Sequence, residues 1–263
     1  MITSTTNNRV KRIKRLLSDR RFRQREGAFV VEGTRWMDEL LRAKHQPEVW
    51  LATEKWIEQN HTAANQLSAA FQPPLLVEPN ILKELADTST PSGVLAVIPQ
   101  LLVTWPQEPS LLLLLDQVRD PGNLGTLFRS ALAAGVEGVI LGPGCVDPQN
   151  PKVVRSTMGA LLRLPIRQSA WDDAADLLGP CQVYLADAAG ETTYTTIDWW
   201  QPSALMIGGE AAGAGKKAKA IVHEMISIPM ANASESLNAA VAGSVILFEA
   251  LRQKQLVSRS VSQ

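Results

Sequence analysis

The chain has 263 residues, of which 45% are hydrophobic and 20% charged, a globular balance that excludes wholesale disorder. No unbroken apolar run exceeds five residues, as in Leu111–Leu115, far short of the roughly 18 that a membrane span needs. Two cysteines (Cys145, Cys181) and three histidines (His45, His61, His223) share no ligand spacing, and residues 1–6 hold no apolar stretch, so the expected setting is soluble, reduced and cytoplasmic, with no disulfide framework, no metal and no membrane.

Charge is balanced overall, at 26 basic and 26 acidic residues, but not locally. Residues 9–25 hold Arg9, Lys11, Arg12, Lys14, Arg15, Arg20, Arg21, Arg23 and Arg25 against Asp19 alone, which leaves +8 there and about −8 on the rest. Clustered Lys and Arg bind phosphate through counterion release, so these nine are the candidate phosphate-binding set. Val10, Ile13 and Leu17 fall at i, i+3 and i+7, which predicts one amphipathic helix docked by its apolar face. The simpler alternative is a solvated charged helix. A membrane-surface helix needs a wider apolar face with aromatic residues.

Beyond it, short strands are predicted over 28–31, 49–52, 75–78 and 94–98, rich in Val, Leu and Ile. Between them a helix over 34–43 is expected to be capped by Thr34, and another spans 80–85. Pro99, Pro106 and Pro109 then mark an edge. The expected division is a basic extension at 1–25, a small α/β domain at 26–104 and a larger α/β domain at 105–263.

In the last part, Leu111–Leu115 reads as a strand buried on both faces of a parallel sheet. Helix 123–134, strand 138–141, helices near 153–158 and 171–178, strands 183–186 and 205–208, a polar helix ending at His223, strand 225–228 and a long helix over 236–253 follow. Strands alternating with helices imply a mostly parallel sheet, with functional loops at the strands' carboxyl ends.

Three such loops carry the chemistry. The first, Asp116-Gln117-Val118-Arg119-Asp120-Pro121-Gly122-Asn123, turns at Pro121-Gly122, and Asn123 is expected to cap the next helix. Arg129 follows six residues on, about 240° round the helix from Asn123. The second, Gly208-Gly209-Glu210-Ala211-Ala212-Gly213-Ala214-Gly215-Lys216-Lys217, superficially resembles a phosphate-cradling loop. It fails twice, with Glu210 where that motif needs glycine and Lys217 where it needs Ser or Thr. A glycine-rich loop with one acid suits close approach of a neutral or cationic ligand. The third, Ile228-Pro229-Met230-Ala231-Asn232-Ala233-Ser234-Glu235-Ser236-Leu237-Asn238, feeds the last helix, with Ser234 or Ser236 as its cap.

In order and spacing these loops resemble the three signature motifs of the SpoU (TrmH-like) ribose 2′-O-methyltransferases of the SPOUT class, over residues 111–252. Asp120-Pro121-Gly122-Asn123 through Phe128-Arg129-Ser130-Ala131 resembles motif one. Gly208-Gly209-Glu210 with Gly213 resembles motif two, and Ile228-Pro229-Met230 with Ser236-Leu237-Asn238 motif three. Asn8, Lys11, Leu16-Leu17 and Phe29-Val30-Val31-Glu32-Gly33 resemble, more weakly, the substrate-binding domain that precedes this core in rRNA-modifying members.

The resemblance implies a trefoil-knotted α/β core, against the general rule that connections do not thread loops. It also implies a homodimer, S-adenosylmethionine as methyl donor and RNA, most simply rRNA, as substrate, and so assigns the phosphate-binding set of residues 9–25 to RNA. By position Gly208, Glu210, Ile228, Met230 and Leu237 border the donor, and Arg129, Asn123, Glu210, Ser236 and Asn238 match the catalytic set. Asn232 and Ala233 stand where the family favours glycine, and Ala214 where leucine is frequent. A guanidinium does not lose its proton at neutral pH, so Arg129 is expected to grip a phosphate and stabilise the developing alkoxide. Asn123 is expected to hold Arg129, Glu210 to fix the local charge, and Ser236 and Asn238 to position ribose or donor. The alternatives are a tRNA substrate, or a silent RNA-binding or assembly protein of the same fold.

Overall fold

In the computed structural model, which describes residues 1–86, 90–100, 102–210, 213–231 and 237–261, with side-chain surroundings up to 256, the basic run forms two helices rather than one. These are α1 (Asn8–Ser18) and α2 (Arg20–Glu26). Asp19 is the reason for the break. Its backbone is extended and its carboxylate accepts from the Phe22 N–H at 3.0 Å, so it caps α2. On α1 the residues buried are Val10, Ile13 and Leu16, whereas Leu17, expected in the stripe, is half-buried.

Next come β1 (Ala28–Glu32), α3 (Thr34–Ala43), β2 (Val49–Ala52), α4 (Glu54–Gln59), α5 (His61–Ala70), β3 (Leu75–Leu76), α6 (Pro79–Leu85) and β4 (Val94–Pro99). They build a sheet of order β1-β4-β2-β3, antiparallel except for β2 with β3. Its core joins Val10, Ile13 and Leu16 of α1 to Val30, Leu51, Ile81, Leu85, Leu95 and Val97. The basic helix is thus part of this core. Thr34 does not cap α3. Gly33 holds that position, and the Thr34 hydroxyl instead accepts from the Trp56 indole N–H at 2.8 Å.

The chain continues through β5 (Leu111–Leu115), α7 (Pro121–Ala133), β6 (Gly138–Leu141), α8 (Pro151–Thr157), β7 (Ile166–Gln168), α9 (Ala175–Leu178), β8 (Gln182–Ala186), β9 (Thr192–Thr193), β10 (Ser203–Ile207), α10 (Lys216–Lys219), β11 (Glu224–Ser227) and α11 (Ala239–Val261). Two compact units result: residues 1–102 with 147–162, and 103–146 with 163–263. Within the first, the returning segment supplies Asp147, whose carboxylate forms a buried ion pair with Arg23 at 2.7 Å. The second unit is a seven-stranded sheet of order β7-β6-β5-β10-β8-β11-β9 in which every pairing is parallel. All five leucines of β5 are fully buried between β6 and β10.

Asn123 does not cap α7. With Pro121 in the first turn, Asp120 is the cap and accepts from the Asn123 N–H at 2.8 Å. The helix expected over 171–178 divides into a 3-10 turn at Trp171–Asp173 and α9. The long terminal helix begins at Ala239 rather than 236. Ser236, with Asn232, Ala233 and Ser234, lies outside the described residues.

Candidate active site

Strand order places the carboxyl ends of β5, β10, β8 and β11 side by side. The loop after β10 folds back on itself: Gly209 and Gly213 exchange backbone hydrogen bonds at 3.2 and 2.9 Å, leaving Glu210 at the exposed tip. Closeness demands the glycines. A Cβ at Gly208 would lie 2.4 Å from the Ala214 nitrogen, and one at Gly209 2.6 Å from the Gln117 carbonyl oxygen. Asp116, buried just past β5, ties the far side of this loop, accepting from the Gly215 N–H at 2.8 Å and from the Trp171 indole N–H at 2.7 Å.

These loops enclose a cavity of about 500 Å³, and Gly208, Glu210, Ile228, Met230, Leu237 and Asn238 all line it. Its wall combines the aliphatic Ile207, Ile226, Ile228 and Leu237 with two carboxylates, Glu210 and Asp187. An apolar wall beside paired acids suits a ligand with a flat ring system and a positive charge. Asp187 escaped the sequence reading. The available signal was its position immediately after β8, the strand that lies between β10 and β11.

At the cavity mouth three polar side chains form one chain of hydrogen bonds. The backbone N–H groups of Ala240 and Val241, in the first turn of α11, donate to the Asn238 carbonyl at 2.9 and 3.2 Å. Asn238 donates through its amide to the Asn123 carbonyl at 3.1 Å, and Asn123 donates to the Glu210 carboxylate. Every donor points toward the acid. Each bond polarises the next, and the positive end of α11 lies at the origin of the series. Asn123 therefore engages Glu210 and Asn238; no hydrogen bond links it to Arg129.

Arg129 stands apart on α7, exposed, with no hydrogen bond or ion pair among the described residues. Of the nine cations, Arg23 is withdrawn from any phosphate. It is 3% exposed, its guanidinium held by Asp147 and by the Leu16 and Leu17 carbonyls. Arg12 is engaged by Glu26 and Glu48, Lys14 by Glu84 and Arg15 by Asp19. Arg25 is exposed but reaches Glu26 at 3.9 Å and lies over the Phe22 ring, and Arg9, Lys11, Arg20 and Arg21 are exposed. Among the described residues no three His, Cys, Asp or Glu side chains gather as a metal site.

The profile of the SpoU rRNA Methylase family matches residues 110–248, and that of the MRM3-like substrate binding domain matches residues 7–96. The chain is 33% identical to the 23S rRNA (uridine(2479)-2′-O)-methyltransferase of Streptomyces viridochromogenes, over 95% of this chain and 92% of that one. It is 28% identical to the 23S rRNA (guanosine(2553)-2′-O)-methyltransferase RlmP of Bacillus subtilis, over 94% of this chain and 97% of that one. Among solved structures, the AdoMet-bound rRNA methyltransferase from Sinorhizobium meliloti superposes with a TM-score of 0.83 at 31% identity, covering 95% of this chain and 97% of that one.

Proposed function

The chain belongs to the SpoU rRNA methylase family, and from that premise we propose that it methylates a ribose 2′-hydroxyl of rRNA with S-adenosylmethionine as donor. The observation that carries the reading is the Asn238–Asn123–Glu210 chain at the rim of the cavity. When bound, the donor supplies an electrophilic methyl on a sulfonium. Ile228 and Leu237 offer it apolar contact, and Asp187 and Glu210 offset its positive charge. Asn123 and Asn238 hold the Glu210 carboxylate in one orientation. Arg129 grips the phosphate beside the reacting ribose and stabilises the oxyanion as it forms, while that phosphate or a water takes the proton. Ser236 belongs to the same set by its position in the motif.

The proposal assigns RNA capture to Arg9, Lys11, Arg20, Arg21 and Arg25. It includes a trefoil-knotted core, supported by the non-sequential strand order β5-β10-β8-β11, and a homodimer, supported by an apolar ridge on α11. There Val241, Val245 and Phe248 are 47, 37 and 48% exposed at helical spacing. A cytoplasmic setting completes it, supported by two unpaired thiols. Among the described residues no helix is long and apolar enough to cross a membrane.

The test is calorimetric titration of the protein with S-adenosylmethionine, followed by mapping of 2′-O-methyl positions in rRNA from a strain lacking the gene and from the complemented strain. A position lost and restored in rRNA supports the proposal. Donor binding with no such position, or one found only in tRNA, overturns the rRNA assignment.

A further inference from the structure

A second cavity, of about 300 Å³, lies wholly within the first unit, where the start of α1 crosses the β4-β2-β3 end of the four-stranded sheet. Its accessible aliphatic surface is Val49 of β2 and Leu75 of β3, both half-buried; Ile13 of α1 and Val97 of β4 also border it but are 1 and 0% exposed. Its polar groups are of two kinds. Arg12 is immobilised between Glu26 (Nε, 3.1 Å) and Glu48 (Nη1, 2.8 Å), so its charge is already answered and its planar guanidinium is held still. Arg9, one turn earlier on α1, is exposed and makes no side-chain hydrogen bond or ion pair among the described residues, so its charge is open to an anion.

We propose that this cavity holds one unpaired nucleotide of the RNA substrate, its base against Val49 and Leu75 and its phosphate on Arg9. The inference rests on the rRNA reading above and adds a holding site remote in sequence from the methyl-transfer loops. A recess of this volume admits a single splayed-out base and excludes a duplex, which is how proteins read single-stranded RNA. A base needs an apolar surface or a fixed guanidinium to stack on, and the floor and Arg12 supply both. The Arg12–Glu48 pair adds donors and an acceptor for a base edge. Arg9 and Arg12 both belong to the segment 9–25, whose net charge is +8.

Fluorescence anisotropy with the full-length protein tests it, using a ten-nucleotide single-stranded RNA of mixed sequence and a duplex of the same length. Arg9→Ala is compared with Arg21→Ala, which removes the same charge from α2 away from the cavity. Val49→Phe fills the floor with a residue that suits a strand and leaves every charge in place. The expected result is preference for the single strand, its loss by roughly tenfold or more in Arg9→Ala and Val49→Phe, and a fall of only about two- to threefold in Arg21→Ala. Equal losses at Arg9 and Arg21, or duplex bound as tightly as single strand, overturn the site and leave only a basic surface. Should Val49→Phe fail to fold in a thermal melt, the Arg9 and Arg21 pair still decides. Donor titration on the same preparations separates the two readings. Intact donor binding without single-strand preference sinks the nucleotide site alone, whereas absent donor binding sinks the methyltransferase reading.

Discussion

Two arginines bound the range of what a guanidinium does here. Arg129 is exposed and without a partner among the described residues, so a structural ion pair is not what its substitution removes. Arg129→Ala is expected to slow methyl transfer at least 100-fold, about 3 kcal/mol, with donor affinity and melting temperature unchanged. Arg129→Lys should be nearly as slow, because the planar fork is lost. Single-turnover methylation and thermal melts on the two variants read this directly, and a fully active Lys variant removes the bidentate grip. Arg23 gives the opposite pattern. Arg23→Ala leaves Asp147 buried without its partner, which costs about 3–5 kcal/mol and shows as a lowered melting temperature. The two thiols are also structural in character. Burial pushes both Cys145 and Cys181 up to about 11. Iodoacetamide at neutral pH should therefore label them slowly in the native protein and fast after unfolding.

Among the elements, the loop after β10 depends on a tether outside the cavity. Asp116 takes three N–H donors, Trp171 on one carboxylate oxygen and Gly215 with the Gln117 amide on the other. Asp116→Asn presents one amide N–H to a donor, costing about 1–3 kcal/mol and loosening the turn that carries Gly208 and Glu210. The expected kinetic signature is a raised KM for the methyl donor with kcat changed less. On α11, the Glu249 carboxyl is held below the usual range by its hydrogen bonds from Arg252 and then Gln253. Its folded value is depressed, so the stabilisation is present above the ordinary Glu range and is lost as pH falls through the folded value. Glu249→Gln should flatten the acid limb of a melting profile. The same elements mark what sequence could tell. The five leucines of β5 admit one interpretation, since no face is left for water. The break between α1 and α2 hid behind Asp19, which reads as the lone acid in a charged helix until its carboxylate is seen capping α2. Asp120 and Asn123 compete for one cap, and Pro121 decides between them. Glu210, Asn123 and Asn238 were identified as a set, but their mutual bonds depend on loops 87 and 115 residues apart and were not legible.

For the molecule as a whole, the proposed dimer predicts that Phe248→Glu shifts the mass seen by light scattering to that of one chain, and a monomeric wild type counts against it. The basic segment cannot be tested by deletion. Val10, Ile13 and Leu16 anchor the core of the first unit, so truncation removes fold together with charge, and charge reversal at Lys11, Arg20 and Arg21 is the cleaner probe. Those reversals should flatten the salt dependence of RNA binding while donor binding holds. The return of residues 147–162 to the first unit has a consequence for inheritance. The path from one end to the other enters each unit twice, so no single cut frees either of them. A gene fragment for residues 103–263 would carry α8 into a protein lacking its partners, with Val153 and Val154 at 0 and 2% exposure in the intact chain laid open to water. Shuffling by simple fusion is thereby penalised, and the two units travel through evolution as one inseparable text.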